Sequence, residues 1–508
     1  MVFVAIILFF VYMWGFGFSI TRFVKESENV LERNLMRLGL GLMLLPLVGV
    51  ILNLLNIPLD WRIFLLLSLL GPVISVVKEK KITPPSISFT YTNLSIVLML
   101  VIFAASLFIY ASGAFSYPYL ENDDPWGHAY GAKFISLEKN LDGSPYRGFQ
   151  YMNPYPPGYD MILGVLHQTN DSVYTTVKFF NALIISLGFI FFYFAAALLT
   201  KNKGKALFAT FILASVPAYL SHFIWAHALV ATLFFPALYA LLMMEKDKQW
   251  FVLASIGVAS FALVQPTQPV KLVTMLVMAI AVILIAQRKI VWQYIAVPIL
   301  VILISFLWWA FHWREFFFDA QDARLGVEGA VATQSFLAKL PSTFFAFLDP
   351  TSGTATRVYT FSDFFFAKSQ NMINNPIGIG VVISLLVLVG LVTIALQYKS
   401  LMQRSKAYLL IITLWLIFTF LGINSLTFNL PIGLFAFRFW MLFAIPVSLV
   451  AAEGLWFLMS LSKQARVPAI FIIVLVMIGV IFTGGMQKYD VNTANWPPGA
   501  FWTSLEEV

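Results

Sequence analysis

Fourteen apolar runs, at 2–19, 38–55, 61–77, 93–111, 174–200, 206–220, 223–243, 250–264, 270–286, 290–311, 376–397, 407–423, 437–461 and 467–484, dominate the chain. Most approach the roughly 20 residues a helix needs to cross the hydrocarbon core of a bilayer. Inside lipid every backbone N–H and C=O must be satisfied within the protein, so runs of this length read as helices. Composition agrees: of 508 residues 60% are hydrophobic and 11% charged, 50 are Phe, and no soluble core could absorb so much apolar surface. The expected fold class is an all-α polytopic membrane protein with about 14 transmembrane helices and two long extracytoplasmic loops. Cysteine is absent, which excludes disulfides and thiolate metal sites.

The net charge of +8 would suggest nucleic acid in a soluble chain. Here the cations collect in short loops instead. Arg22 to Arg37, Lys78 to Lys81, Lys201 to Lys205, Lys246 to Lys248, Arg288 to Lys289, Lys399 to Lys406 and Lys463 to Arg466 hold 19 of the 32 Lys and Arg. All fall on one side if the N-terminus lies outside, and that side reads as cytoplasmic. The first run has no basic residue before it and several after it, so it reads as a retained anchor. The expected location is the cell membrane, with no nucleic-acid partner. Two long segments, 112–173 and 312–375, and the tail 485–508 then lie outside. "KEKKITPPSISFTYTN" (78–93) is polar and Pro-containing, and divides three N-terminal helices (1–92) from a core (93–484).

One outer segment contains "YLENDDPWGHAYGAKFISLEKNL" (119–141). Asp124 followed by Pro125 predicts an N-cap and first helical residue, with a helix over 125–141. Trp126, Tyr130, Phe134, Leu137 and Leu141 recur at helical spacing, which predicts a helix lying in the membrane interface. Asp123 has no such structural duty and reads as a catalytic base. Nucleotide donors are not generally present outside the cytoplasm, so group transfer there draws on lipid-linked donors. With phosphate already a good leaving group, such a reaction needs a base for the acceptor hydroxyl and cations for the departing phosphate.

Other residues qualify as contacts. His222 and His227 flank an outer turn, where an interfacial role competes with ligand binding. Arg314 follows "LWWAFHW" and either snorkels beside Glu315 or meets a phosphate. Arg357, Tyr359 and Asp363 lie in "TSGTATRVYTFSDFF" (351–365), which reads as a lid. Arg438, in "NLPIGLFAFRFWM", stands among aromatics at the outer end of a span, placed either to grip phosphate or to snorkel. Glu453 is the one acid well inside a span, and packing is its only evident role.

"NDDPWGHAYGAKFI" after a transmembrane helix resembles the first extracytoplasmic loop of the GT-C integral membrane glycosyltransferases. "YMNPYPPGYDMILGVL" (151–166) is similar to the Tyr-Pro-Pro stretches that follow it, and "FAFRFWMLFAIPVSLVAAEGL" (435–455) to a late helix bearing a phosphate-contacting arginine. The resemblance, over roughly 93–484, implies a GT-C-like transmembrane catalytic core that transfers a hexosyl or pentosyl group. It implies Asp123 as the acid–base residue, Asp124 as a second acid supporting acceptor or metal, and Arg438 and Arg314 on the donor phosphate. His128, Tyr155, His222, His227, Arg357 and Tyr359 would contact substrate. The donor would be a polyprenyl-phosphate sugar, the acceptor a lipid, glycan or protein, and a divalent cation (Mg, Mn or Zn) a cofactor held partly by Asp124. The chain also departs from the oligosaccharyltransferase pattern: "YLSHFIWAHAL" (219–229) carries no carboxylate and no W-W-D occurs. Aminoarabinose transferases and protein O-mannosyltransferases are closer models. A transporter or flippase for a lipid-linked or anionic substrate is the alternative, although no paired repeat or midplane charge speaks for it, and a receptor or scaffold is a third class.

Overall fold

A computed structural model of the chain describes residues 2–79, 91–142, 155–314, 356–367, 373–494 and 496. Glu315, the residues 351–355 of the expected lid and the side chain of Arg314 lie outside the described part. In chain order the helices are α1 (Val2–Thr21), α2 (Val30–Leu54), α3 (Trp61–Glu79), α4 (Tyr91–Ala114), α5 (Asp123–Glu138), α6 (Gly158–His167), α7 (Val173–Thr200), α8 (Lys203–Ser215) and α9 (Ala226–Met243). They continue as α10 (Trp250–Ala262), α11 (Gln268–Gln287), α12 (Trp292–Arg314), α13 (Phe361–Phe365), α14 (Val381–Leu396), α15 (Ala407–Ile423), α16 (Phe439–Gln464), α17 (Ala469–Val480) and α18 (Met486–Thr493). Among the described residues there is no strand.

A helix forms at each of the fourteen apolar runs, and among the described residues ten helical segments are long and apolar enough to cross a membrane. The remaining four, α8, α10, α14 and α15, have 13, 13, 16 and 17 residues. At 1.5 Å per residue they reach roughly 20–26 Å, short of the ~30 Å hydrocarbon core. The chain after α8 stays buried without being helical through 216–225. Backbone in such a place is tolerated only where protein satisfies it. Here Ala218 N–H donates to Gly378 O at 3.0 Å, Asn181 Nδ2 to His222 O and Phe223 O at 2.9 and 3.0 Å, and Lys488 Nζ to Tyr219 O and Leu220 O.

The basic loops meet at one end of the bundle. The Lys25 N–H donates to Asp247 Oδ2 and Trp250 Nε1 to Lys25 O, while Asn29 bonds Asn93, Lys203 bonds Thr92, Tyr239 bonds Glu32, and Gln287 and Arg404 both reach Glu245. Glu453, on α16, belongs to this end: Lys205 Nζ grips both its oxygens at 2.8 and 2.7 Å and Tyr408 OH donates at 2.9 Å, tying α8, α15 and α16 together. The loops preceding α5, α9, α11 and α16 gather at the opposite end.

One buried cluster runs through the whole bundle. The N-terminal helices share it: Ser260 Oγ donates to Met43 O at 2.5 Å, and α2 packs on α6, α7, α9 and α10. The last apolar run does not stop at 484. A π turn at Ile481–Gly485 joins α17 to α18, so Ala469–Thr493 is one segment. Residues 485–494 of the expected tail are therefore built into the bundle, with Lys488 and Asn492 buried, and 495 and 497–508 lie outside the described part.

Candidate functional site

Five helices, α5, α6, α9, α11 and α16, start close together at the end of the bundle away from the basic loops. Ala226, first in α9, donates its N–H to His128 Nε2 on α5 at 3.3 Å. Gly158, first in α6, donates to Leu263 O just before α11 at 2.9 Å, so close that a Cβ there would lie 2.6 Å from that oxygen. Lys271 on α11 donates to Phe435 O, just before α16, at 3.4 Å. Helix N-termini present unpaired N–H groups and a partial positive charge, so this convergence favours an anion.

Helix α5 starts two residues before the expected boundary. Asn122, at φ 63°, is the cap, and its side chain accepts from the Asp123 N–H at 2.7 Å. Asp123 and Asp124 are thus both first-turn residues, and Asp124 is not the N-cap. The helix ends at Glu138, and its buried face is Gly127, His128, Gly131, Ala132 and Ile135, seated on α6. Its aromatic stripe, Trp126, Tyr130 and Phe134, is only half-buried, and Leu137 is exposed. The stripe thus faces outward, and small residues make the contact.

His128 is structural. Since Nε2 accepts from Ala226, Nδ1 carries the proton and donates it to Asp160 Oδ1 at 2.6 Å. With both ring nitrogens engaged, it has none left for substrate or metal. Burial raises the Asp160 carboxyl above the ordinary aspartate range, and the His128 contact offsets part of that rise. Among the described residues no group of three or more His, Asp or Glu could hold a metal, so Asp123 and Asp124 have no third ligand of that kind there.

The Tyr155 hydroxyl feels the charges of both Asp124 and Arg438. Desolvation pushes it above the ordinary tyrosine value, the positive charge of Arg438 pulls it down, and the charges of Asp124 and Asp160 push it up. Asp124 and Arg438 therefore act on one hydroxyl. Arg438 precedes α16 in a 3₁₀ turn (Ala436–Arg438), with the rings of Trp225, Phe435 and Phe437 5.8, 5.0 and 5.2 Å from its guanidinium carbon. Leu434 and Phe435 before it have φ of 38° and 57°, a left-handed pair that non-glycine residues adopt only under constraint. A small cleft lies beside Arg438, lined also by Trp225, Asn374, Asn375 and Trp440.

His227 joins this group, stacked on Trp225 at 4.3 Å between centroids, buried, and with both ring nitrogens lacking a hydrogen-bond partner. His222 is drawn away from it. Its Nε2 bonds Tyr117 OH at 2.8 Å, its N–H donates to Asn492 Oδ1 at 2.9 Å, and burial pulls its imidazole down to about 3. Arg357 is committed to Asp363, both contacts at 3.2 Å. Tyr359 packs edge-on against Trp440 at 5.3 Å, two residues from Arg438. The segment 356–367 thus anchors on α16, and Ile379 N–H, between the left-handed Gly378 and Gly380, bonds Phe364 O at 2.8 Å.

Four residues here escaped the sequence reading. Lys271, Gln268 and Gln265 lie in "QPTQPVKL", which reads as an ordinary Pro-marked helix start. Lys271 and Gln268 are 0% exposed and Gln268 Oε1 has no hydrogen-bond partner. Glu121 is the fourth, 1% exposed, with neither oxygen hydrogen-bonded.

No protein-family model matches the sequence, and no curated protein matches it. Among solved structures the chain is similar to the apo oligosaccharyltransferase of Archaeoglobus fulgidus, at TM-score 0.48 and 13% identity over 79% of this chain and 57% of that one. It is also similar to the archaeal oligosaccharyltransferase AglB from Archaeoglobus fulgidus, in complex with an inhibitory peptide and a dolichol-phosphate, at TM-score 0.47 and 14% identity over 79% of this chain and 56% of that one. The chain spans a little over half the length of those proteins.

Proposed function

We propose that the chain is a membrane glycosyltransferase of GT-C type that moves a sugar from a polyprenyl-phosphate donor to an acceptor hydroxyl on the extracytoplasmic face. The observation that carries this reading is the convergence of helix starts at one end of the bundle, with Asp123 and Asp124 in the first turn of α5 and Arg438 in the turn that precedes α16. Its position at the end opposite the basic loops supports the outer side, because basic loops favour the cytoplasm.

In this reading Asp123 takes the proton from the acceptor hydroxyl as its oxygen bonds the anomeric carbon. The bond from that carbon to the phosphate oxygen breaks, and the electron pair leaves on the polyprenyl phosphate. Arg438, weakly hydrated among aromatic rings, holds the departing phosphate through two parallel N–H···O bonds. Asp124 and Tyr155 orient the reacting groups. Arg314, His227 and Tyr359 are further contacts in this proposal. A divalent cation would take Asp124 as its carboxylate ligand.

The test follows radiolabelled sugar from a polyprenyl-phosphate donor in proteoliposomes. Wild type is expected to transfer or release the label, and Asp123→Asn to bind donor without doing so. Movement of intact donor between leaflets without cleavage, unchanged in Asp123→Asn, would establish the flippase reading instead.

A further inference from the structure

We propose that Lys271 is a second phosphate-contacting cation, which completes with Arg438 a two-cation cradle for a lipid-borne phosphate. The proposal rests on the glycosyl-transfer reading for the identity of the lipid and on geometry alone for the anion.

Lys271 lies in the first turn of α11, fully buried, where a cation meets the positive end of the helix dipole. Its ammonium makes one long contact, 3.4 Å to Phe435 O, and lies 4.4 Å from the Phe439 ring centroid. Among the described residues no carboxylate is within ion-pair distance of it. The nearby positive charge is that of Arg438, whose guanidinium carbon lies 5.0 Å from the ring of Phe435, the residue whose carbonyl Lys271 contacts. A buried cation at a helix N-terminus, facing another cation and short of acceptors, is an unfavourable arrangement that an entering anion reverses.

His227 fits the same ligand. Both its ring nitrogens lack hydrogen-bond partners and are buried, and a ring N–H can donate to a phosphate oxygen. Trp225, against which His227 packs, lines the cleft beside Arg438. A phosphodiester donor carries one negative charge and its leaving phosphate monoester two, so a second cation favours the leaving group over the donor.

The experiment titrates purified protein in neutral-lipid nanodiscs with a short-chain polyprenyl phosphate, the matching uncharged polyprenol and inorganic phosphate. Wild type is compared with Lys271→Met, Lys271→Arg and Lys289→Met, an exposed lysine at the basic end. Lys271→Met is expected to weaken polyprenyl phosphate binding by roughly tenfold or more, as loss of a charge-assisted bond does. Lys271→Arg is expected to keep most of the affinity, and Lys289→Met all of it. Polyprenol is expected to bind wild type weakly and Lys271→Met no differently. Competition by inorganic phosphate that disappears in Lys271→Met supports a site for the phosphate group itself, and none supports a site that also needs the lipid. Without ligand, Lys271→Met is expected to melt at or above the wild-type temperature. Equal polyprenyl phosphate affinity in wild type and Lys271→Met overturns the proposal, as does polyprenol binding as tight as its phosphate, or a lower unliganded melting temperature. Sugar transfer is scored separately: phosphate binding that depends on Lys271 in a protein that transfers nothing keeps the cradle and rejects the transferase reading.

Discussion

At the basic end Glu453 is held by Lys205 and Tyr408, Arg37 forks onto Glu26 at 2.8 and 2.6 Å, and Asp247 accepts from the Lys25 and Gln249 amides. At the other end His227, Gln268 and Glu121 bury side-chain atoms with no hydrogen-bond partner, and Lys271 makes one long bond. Arg33 Nε, Gln293 Oε1 and Tyr294 OH lack partners at the basic end as well, yet there the buried carboxylate of Glu453 is met by a cation, whereas Lys271 at the other end has no carboxylate beside it among the described residues. A paired buried charge links helices, whereas an unmatched one is stable only in company it has yet to meet. The contrast separates polarity that holds the bundle together from polarity kept for a ligand.

The strongest way to break the contrast is at Asp123. Asp123→Asn is expected to lower turnover by about 10² to 10⁴ while leaving melting and donor binding unchanged. Near-wild-type turnover would remove Asp123 as the base. At the paired end the effects reverse: Lys205→Met strands the Glu453 carboxylate, is expected to cost up to about 3 to 5 kcal/mol, and leaves KM unchanged. Adding Glu453→Gln is expected to restore most of the melting temperature.

Glu121 is expected to make the unpaired end sensitive to pH. Burial raises its carboxyl from 4.5 to about 7, against the pull of its own backbone amide and the Lys178 charge. The folded chain thus keeps a proton that the unfolded chain has released. Stability from this group is full below 4.5 and is lost as pH rises through about 7. Glu121→Gln is expected to raise stability at pH 8 by up to about 3 kcal/mol and to change nothing at pH 4, as read from melting curves.

Arg438→Lys keeps the charge and loses the fork, so the donor KM is expected to rise roughly tenfold, and Arg438→Ala to raise it further. Equal KM and turnover for Arg and Lys would place Arg438 outside the site. The smallest effect is thermal. With Asn122 as cap, the helix-dipole share of the Asp124→Asn change is about 0.3–1 kcal/mol. Any larger drop in activity then reports on the Tyr155 site.

The helices were legible because lipid leaves the backbone few options, and hydropathy marks where those options narrow. The α5 cap was not: Asn122, Asp123 and Asp124 can each cap, and the choice rests on the left-handed turn at Asn122. Its buried face was equally hidden, since Gly127, Gly131 and Ala132 carry almost no hydropathy and matter only once α6 lies against them. Lys271 sat at a Pro-marked boundary where a cation excites no notice. What isolates it is Arg438, 167 positions further along the chain. Arg438 and Tyr155 were legible as types of residue, and their shared neighbourhood only as a fold.

Three of the four short helices, α8, α14 and α15, pack on α16, whose first turn follows Arg438. On that flank Leu385, Leu388, Val392 and Ile417 are exposed, so the apolar belt presented to lipid is roughly 20–26 Å deep. A bilayer ~30 Å thick answers such a mismatch by thinning beside the protein. Thinning on this flank would bring the headgroup plane towards the level of Arg438, and the proposed prenyl-anchored phosphate would then reach it with its tail still among the acyl chains. Membrane thickness would in that case govern substrate entry as much as any side chain.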